Sequence, residues 1–274
     1  MPLRLAPTFG DALRATGPSS GANGRALIGM WVSTGNALSA EICAGSGLDW
    51  LLVDMEHGPN TLTTVLAQLQ AVAAYGVPAV VRVPFGDPVV IKQVLDLGAQ
   101  NLLVPMVSSE DEARAAVAAT RYPPEGVRGV GSALARSARW ARVPGYVQNA
   151  SSHVSLVVQV ESAPAVEAAS AIATVDGVDG VLVGPADLAA SMGFPGEQTH
   201  PEVVAAVRRV FDDVHRAGKA VGVNAFDPAA ADAYIAGGAD FVSVGADVTL
   251  LARGSEALAA RFIPTQGPSV TDTY

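Results

Sequence analysis

Leu156-Val157-Val158-Gln159-Val160-Glu161 and Val181-Leu182-Val183-Gly184-Pro185-Ala186-Asp187 each run apolar and then close on an acid. An apolar run of this length, rich in Val and Leu, predicts a strand buried on both faces, the condition of a parallel sheet covered by helices. Working outward, six further runs of the same kind appear at residues 26–33, 50–56, 79–84, 101–107, 220–226 and 241–247, with the two quoted runs inside 155–162 and 180–187.

The stretches between them carry helical period. Leu62, Val65, Leu66, Leu69 and Val72 form one apolar stripe within 61–75, ended by Gly76. Asp87-Pro88 opens a helix that Gly98 closes, Ser108-Ser109 precedes the acids Glu110, Asp111 and Glu112, Pro201 and Gly218 bracket another helix, and Asp227-Pro228 opens a further one. Eight strands alternating with helices predict an α/β fold, a single (β/α)8 TIM barrel over residues 25–263. Residues 1–24 are expected to form an N-terminal helix and surface loop, with the loop at 16–23, and residues 264–274 a loose tail. The competing architecture, an open doubly wound sheet, would place a glycine fingerprint after the first strand, and Trp31-Val32-Ser33-Thr34-Gly35-Asn36 has none. Residues 121–154 are long for a loop; with Gly126, Gly129 and Gly131 they are expected to fold as a helical excursion near the barrel mouth.

Of 274 residues half are hydrophobic and 16% charged, enough for a large core. The net charge of −9 offers no basic surplus for nucleic acid, and an anionic substrate would need positive charge supplied locally. The lone cysteine, Cys43, excludes a disulfide within the chain, no run approaches the ~20 apolar residues of a membrane span, and the first twenty-four residues lack the apolar core of a secretory signal. A cytoplasmic protein without nucleic-acid or membrane partners is expected.

Barrel chemistry comes from the C-terminal ends of strands. Read in order, those ends give Trp31, Asp54-Met55-Glu56-His57, Arg82, Gln159 with Glu161, Asp187, Asn224 and Asp247. Each acid of the pair Glu161 and Asp187 reads equally well as a helix cap when taken alone; together, beside Gln159, they suit octahedral Mg²⁺ or Mn²⁺, with no Cys or His pair to favour zinc. His57 is placed to move a proton near neutral pH. His200 and His215 lie near or on a polar helix and are expected to be solvated, and His153 precedes a strand. Arg82 reads either as a clamp for an anion or as half of a buried ion pair with Asp54 or Glu56. The only lysines, Lys92 and Lys219, fall in a helix and in the turn before the seventh strand, so no strand end carries the amine of a Schiff-base mechanism.

Residues 50–60 (WLLVDMEHGPN), 102–107, 121–139 (RYPPEGVRGVGSALARSAR), Gln159-Val160-Glu161 and Gly184-Pro185-Ala186-Asp187-Leu188 together resemble the HpcH/HpaI family of class II pyruvate aldolases, of the 4-hydroxy-2-oxoheptanedioate type. The resemblance runs from about residue 9 to 262. It implies a barrel of the phosphoenolpyruvate/pyruvate-binding type, a homo-oligomer, usually a hexamer, and a divalent metal (Mg²⁺, Mn²⁺ or Co²⁺). It implies reversible cleavage of a 4-hydroxy-2-oxo acid to pyruvate and an aldehyde through a metal-stabilised enolate, with oxaloacetate decarboxylation at the same site. Carried over by position, Glu161 and Asp187 match metal ligands, His57 the catalytic base, and Arg82 the transition-state stabiliser. Gln159 and Ala186 match substrate contacts, Ala186 through its N–H; Trp31 matches a pocket-wall aromatic, and Asp96 an acid that raises the basicity of the histidine. Asp96 falls late on a helix running away from the mouth, so either that helix is placed differently or the contact crosses a subunit boundary. Asn224 stands where other members can carry an apolar residue that helps select the aldehyde, and a polar amide there is expected to turn the preference from the usual acceptor towards hydroxylated aldehydes. Two other readings remain: an acyl-CoA ester lyase, which would want basic groups such as Arg136, Arg139 and Arg142 for the CoA phosphates, and a non-catalytic binding barrel.

Overall fold

A computed structural model of the chain describes residues 2–16 and 24–264. Eight parallel strands close into a barrel in chain order: β1 (Leu27–Val32), β2 (Trp50–Asp54), β3 (Ala79–Arg82), β4 (Asn101–Val104), β5 (Ser155–Val160), β6 (Gly180–Val183), β7 (Ala220–Asn224) and β8 (Phe241–Ala246). Helix α1 (Phe9–Thr16) precedes β1; α2 (Ala37–Ala44), α3 (Leu62–Val72), α4 (Pro88–Asp96) and α5 (Glu110–Thr120) follow the first four strands. They are succeeded by α6 (Ala163–Thr174), α7 (Pro185–Ser191), α8 (Pro201–Arg216), α9 (Pro228–Ala236) and α10 (Asp247–Phe262). Of the expected loop at 16–23 and the expected tail at 264–274, all but Thr16, which ends α1, and Pro264 lie outside the described residues.

All eight expected runs form strands, but each stops one to four residues before its apolar run ends. On β2 the Asp54 side chain accepts the Glu56 N–H and turns the chain. On β6, Pro185 has no N–H for a ladder and instead opens α7 at its first position. Asp187 is therefore the third residue of a helix, not the end of a strand as expected. The helix starts follow their caps: Thr61 and Thr64 exchange a capping box on α3, while Asp87, Ser109 and Asp227 cap α4, α5 and α9.

Strand alternation sorts the core. Val and Ile facing outward pack under the helices: Val53, Val81, Val104, Val158, Val181, Val223 and Val242 belong to one continuous buried cluster. Leu52, Val80, Leu103, Val157 and Leu182 face inward as a second cluster. At the bottom of that interior Trp50 and Phe241 meet edge-to-face at a centroid distance of 5.8 Å, and Phe9 of α1 plugs them from below at 5.2 and 5.4 Å. Gly29 makes room for this floor, since a Cβ there would stand 2.3 Å from the Trp50 indole. The plug is held by Phe9 N–H to Asn101 Oδ1 (2.6 Å) and Gly10 N–H to Ser155 Oγ (3.0 Å).

Residues 121–154 do not form a helical excursion at the mouth. They wind as turns with two short 3-10 segments, Arg136–Ala138 and Ala150–His153, around the opposite, amino-terminal end of the barrel. Arg128 pairs with Asp96 at the lower end of α4, Arg136 donates to Leu97 O, and Leu3 N–H reaches Arg142 O. The segment has its own small core of Tyr122, Ala138, Val143, Tyr146 and Ala150. His215 is also not simply solvated: its Nε2 lies 2.9 Å from Asp240 Oδ2 at the foot of β8. Helix α10 stands largely free, with Asp247 its only buried residue and Leu250, Leu251, Leu258 and Phe262 exposed. Among the described residues no helix is long and apolar enough to cross a membrane.

Candidate active site

The uppermost inward position of several strands is polar. Trp31 on β1, Asp54 on β2, Arg82 on β3, Gln159 on β5 and Asn224 on β7 line the top of an otherwise apolar barrel, the loops after β2 and β5 add His57 and Glu161, and the first turn of α7 adds Asp187. Contacts among the sequence candidates fall into two groups: Trp31 touches Arg82 and Asn224, and Gln159 touches Glu161.

Arg82 and Asp54 are register partners on adjacent strands and form a fork: Nε to Oδ1 at 2.8 Å and Nη2 to Oδ2 at 2.9 Å, both side chains buried. Nη1 lies 2.7 Å from Glu56 Oε2, off the donor axis, so this is an ion pair without a formed hydrogen bond. The guanidinium carbon sits 4.2 Å over the Trp31 ring. The ion-pair reading of Arg82 is therefore what the geometry shows, with both acids, and it leaves N–H groups on both Nη atoms for an anion above. Burial raises the Glu56 carboxyl above its ordinary value, opposed by Arg82 and His57 and reinforced by Asp54 and Asp187.

Glu161 is buried immediately after β5. Its Oε1 accepts the Met106 N–H at 2.7 Å and its Oε2 the Gln159 Nε2–H at 2.5 Å. Burial pushes its carboxyl from 4.5 up to about 7; the Met106 N–H opposes this, and the charges of Asp187 and Glu56 reinforce it. Gly184 brings the β6–α7 turn against this carboxylate, since a Cβ there would stand 3.0 Å from Glu161 Oε2 and 2.9 Å from Gln159 Nε2. Because Nε2 faces Glu161, Gln159 Oε1 points elsewhere, and it is buried without a hydrogen-bond partner. Asp187 and Ala186 are exposed in the first turn of α7, where the helix supplies no acceptor to the Ala186 N–H.

Trp31 is buried, and its indole N–H donates to Asn224 Oδ1 at 2.9 Å. It is the floor of the site more than an open wall. The His57 ring is exposed at the rim, and its backbone N–H points to Asp54 Oδ1 at 3.4 Å. Asp96 is not part of this group: α4 runs where the sequence placed it, and Asp96 pairs with Arg128 at the lower end. Asp247, a strand-end candidate, is committed to structure, accepting the N–H groups of Ser33, Thr34 and Val248 and the Thr34 hydroxyl. Met106 had no sequence signal. It is a non-glycine residue at φ 57°, and this left-handed turn is what delivers its N–H to Glu161.

Among the described residues no three His, Cys, Asp or Glu side chains gather as a ligand set. Glu161 and Asp187 are a two-carboxylate set, which leaves most positions of a hard cation to oxygen atoms from outside the chain. Their mutual repulsion is what such a cation would relieve.

A profile of the HpcH/HpaI aldolase/citrate lyase family matches residues 27–254. The 4-hydroxy-2-oxo-heptane-1,7-dioate aldolase of Salmonella dublin is 54% identical over 254 residues, 93% of this chain and 94% of that one. The crystal structure of an HpcH/HpaI aldolase/citrate lyase family protein from Burkholderia cenocepacia J2315 superposes with a TM-score of 0.85 at 41% identity, covering 92% of this chain and 97% of that chain. An HpcH/HpaI aldolase from Desulfitobacterium hafniense DCB-2 gives 0.78 at 29% identity, covering 89% and 96%. On this extent of likeness, in sequence and in fold, the chain belongs to the HpcH/HpaI aldolase/citrate lyase family.

Proposed function

We propose that this lyase reversibly cleaves a 4-hydroxy-2-oxo acid to pyruvate and an aldehyde. The observation that carries the reading is the buried Glu161 carboxyl at the top of the barrel, held by the Met106 N–H and Gln159 Nε2 against the Gly184 turn that opens the helix bearing Asp187. Glu161 and Asp187 would hold a divalent metal, Mg²⁺, Mn²⁺ or Co²⁺, and the chemistry of the donor set fits one. When bound, such an ion polarises the keto oxygen of the oxo acid as a Lewis acid.

The chain's own residues do the rest. Arg82 is anchored by Asp54 and Glu56 before any substrate arrives, so its remaining N–H groups are aimed without further ordering at the charge that develops as the C3–C4 bond breaks. Gln159, buried at the top of β5, contacts the bound substrate, and Ala186 N–H donates to its carboxylate. His57, exposed at the rim, takes the 4-hydroxyl proton in cleavage and returns one in synthesis. Oxaloacetate loses CO₂ at the same place because the same enolate is left behind.

Asp96 serves His57 only from another subunit, since within one chain it lies at the opposite end. The free apolar face of α10 and the exposed Leu134 and Trp140 near Asp96 support a homo-oligomer, with the hexamer usual for this family. The buried lone thiol of Cys43 suits the cytoplasm. The acyl-CoA alternative loses support, because Arg136 and Arg139 line the lower end and offer no phosphate contact at the mouth of their own chain.

Glu161→Gln and Asp187→Asn should each lower kcat/KM by about 10³-fold, ~4 kcal/mol of transition-state stabilisation. Chelator-treated protein should lose turnover and regain it with Mg²⁺, Mn²⁺ or Co²⁺. Full turnover after exhaustive EDTA treatment would overturn the proposal.

A further inference from the structure

The lower end of the barrel carries positive charge that no acid balances. Arg128 is buried and has Asp96 at 2.9 Å. Arg136 and Arg139, half-buried beside it, have no carboxylate within ion-pair distance among the described residues. Arg136 Nη1 donates to Leu97 O at 2.9 Å and Arg139 Nη1 to Arg136 O at 2.5 Å, so each keeps most of its five N–H donors uncommitted. The two groups crowd one point: a Cβ on Gly98 would stand 2.8 Å from Arg136 Nη1 and 2.9 Å from Arg139 Nη1. Burial holds both guanidiniums below their ordinary range, and for Arg136 the charge of Arg139 adds to it. In a chain of net charge −9, two cations placed together and half withdrawn from water are a costly arrangement without an anion.

The backbone is also strained here. Arg139, Trp140 and Ala141 are consecutive non-glycine residues at φ 49°, 54° and 60°. L-residues visit that region singly, and a run of three persists only where the surroundings impose it, as they do at ligand clamps. Beside the arginine pair opens a cavity of about 700 Å³, bounded by Arg4 and Pro7 ahead of α1, Gly76 ahead of β3 and Gln100 ahead of β4. Its two carboxylates are already taken, Asp11 by Arg14 at 2.8 Å and Asp49 by Arg25 at 2.6 Å. The volume is that of a small-molecule site, and one chain supplies all of these walls.

We propose that Arg136 and Arg139 form a second anion site, at the amino-terminal end of the barrel, for a small oxyanion of the carboxylate or phosphate class. Two planar forks side by side match the paired oxygens of such a group, which a lysine pair would not. The floor of Phe9, Trp50 and Phe241 separates this cavity from the mouth of the same chain.

The test is titration calorimetry of the full chain with inorganic phosphate, and separately with acetate, at fixed ionic strength. Arg82→Gln serves as the background that removes anion binding at the mouth. Saturable binding at one site per chain in that background is expected, weakened at least tenfold by Arg139→Gln and less by Arg139→Lys. Should Arg139→Gln fail to fold, Ala73→Glu keeps both arginines while adding a carboxylate to the exposed rim of the same cavity, and should weaken binding by a similar factor. Preference for phosphate or for acetate names the source of the oxyanion. Absence of saturable binding to both probes, or affinity unchanged by Arg139→Gln or Ala73→Glu, would overturn the proposal.

Discussion

The Trp31 indole N–H has only a donor to offer, so its bond to Asn224 Oδ1 settles the orientation of that amide: the oxygen faces the tryptophan and the NH₂ faces away from it. The Asn224 NH₂ is therefore a donor that Trp31 does not engage. Asn224→Leu should move the preference from hydroxylated towards aliphatic aldehydes by ~1–3 kcal/mol in transition-state terms, read as a ratio of kcat/KM values. Equal ratios in variant and parent would remove Asn224 from aldehyde selection. At this scale the sequence was readable wherever a polar letter interrupted an apolar run on its inward phase, as at Asp54, Arg82, Gln159 and Asn224. It was silent on Met106, because a left-handed turn at a methionine leaves no compositional trace.

Elements were legible by type and blurred at their ends. The eight β-branched runs became eight strands because buried parallel strands tolerate little else. Their upper boundaries were overrun because Val83 and Val107, beyond the ladder, are also buried and read as strand. Helix α8 shows a different miss. Its polar face looked solvated, yet His215 reaches the buried Asp240, which raises the imidazole above its ordinary pKa against the effect of burial. The fold thus prefers the protonated ring. Its contribution is complete below about pH 6.5, declines as pH climbs, and is gone once pH passes the raised value. His215→Gln should cost ~1 kcal/mol at pH 6 and less at pH 8.5, measured by urea unfolding. A loss that is the same at both pH values would show that the ring acts without its charge.

For the whole molecule, chain order and barrel closure followed from counting strands, whereas the placement of residues 121–154 did not. Glycine content and length mark that segment as irregular, but which end of the barrel it wraps depends on Asp96 and Leu97, where Arg128 and Arg136 bind. Assembly is legible only in outline, since an amphipathic last helix reads the same whether it covers its own barrel or another chain. With α10 standing free, Leu251→Arg combined with Leu258→Arg should shift sedimentation at micromolar concentration to a smaller species with native circular dichroism. Unchanged sedimentation would place the contact elsewhere. The aromatic plug under the barrel has a consequence of its own. With Phe9 wedged beneath Trp50 and Phe241, the molecule has two vestibules and no corridor between them. Whatever enters from above must leave by the same door, and a guest lodged below can speak to the chemistry only by tilting the staves between them.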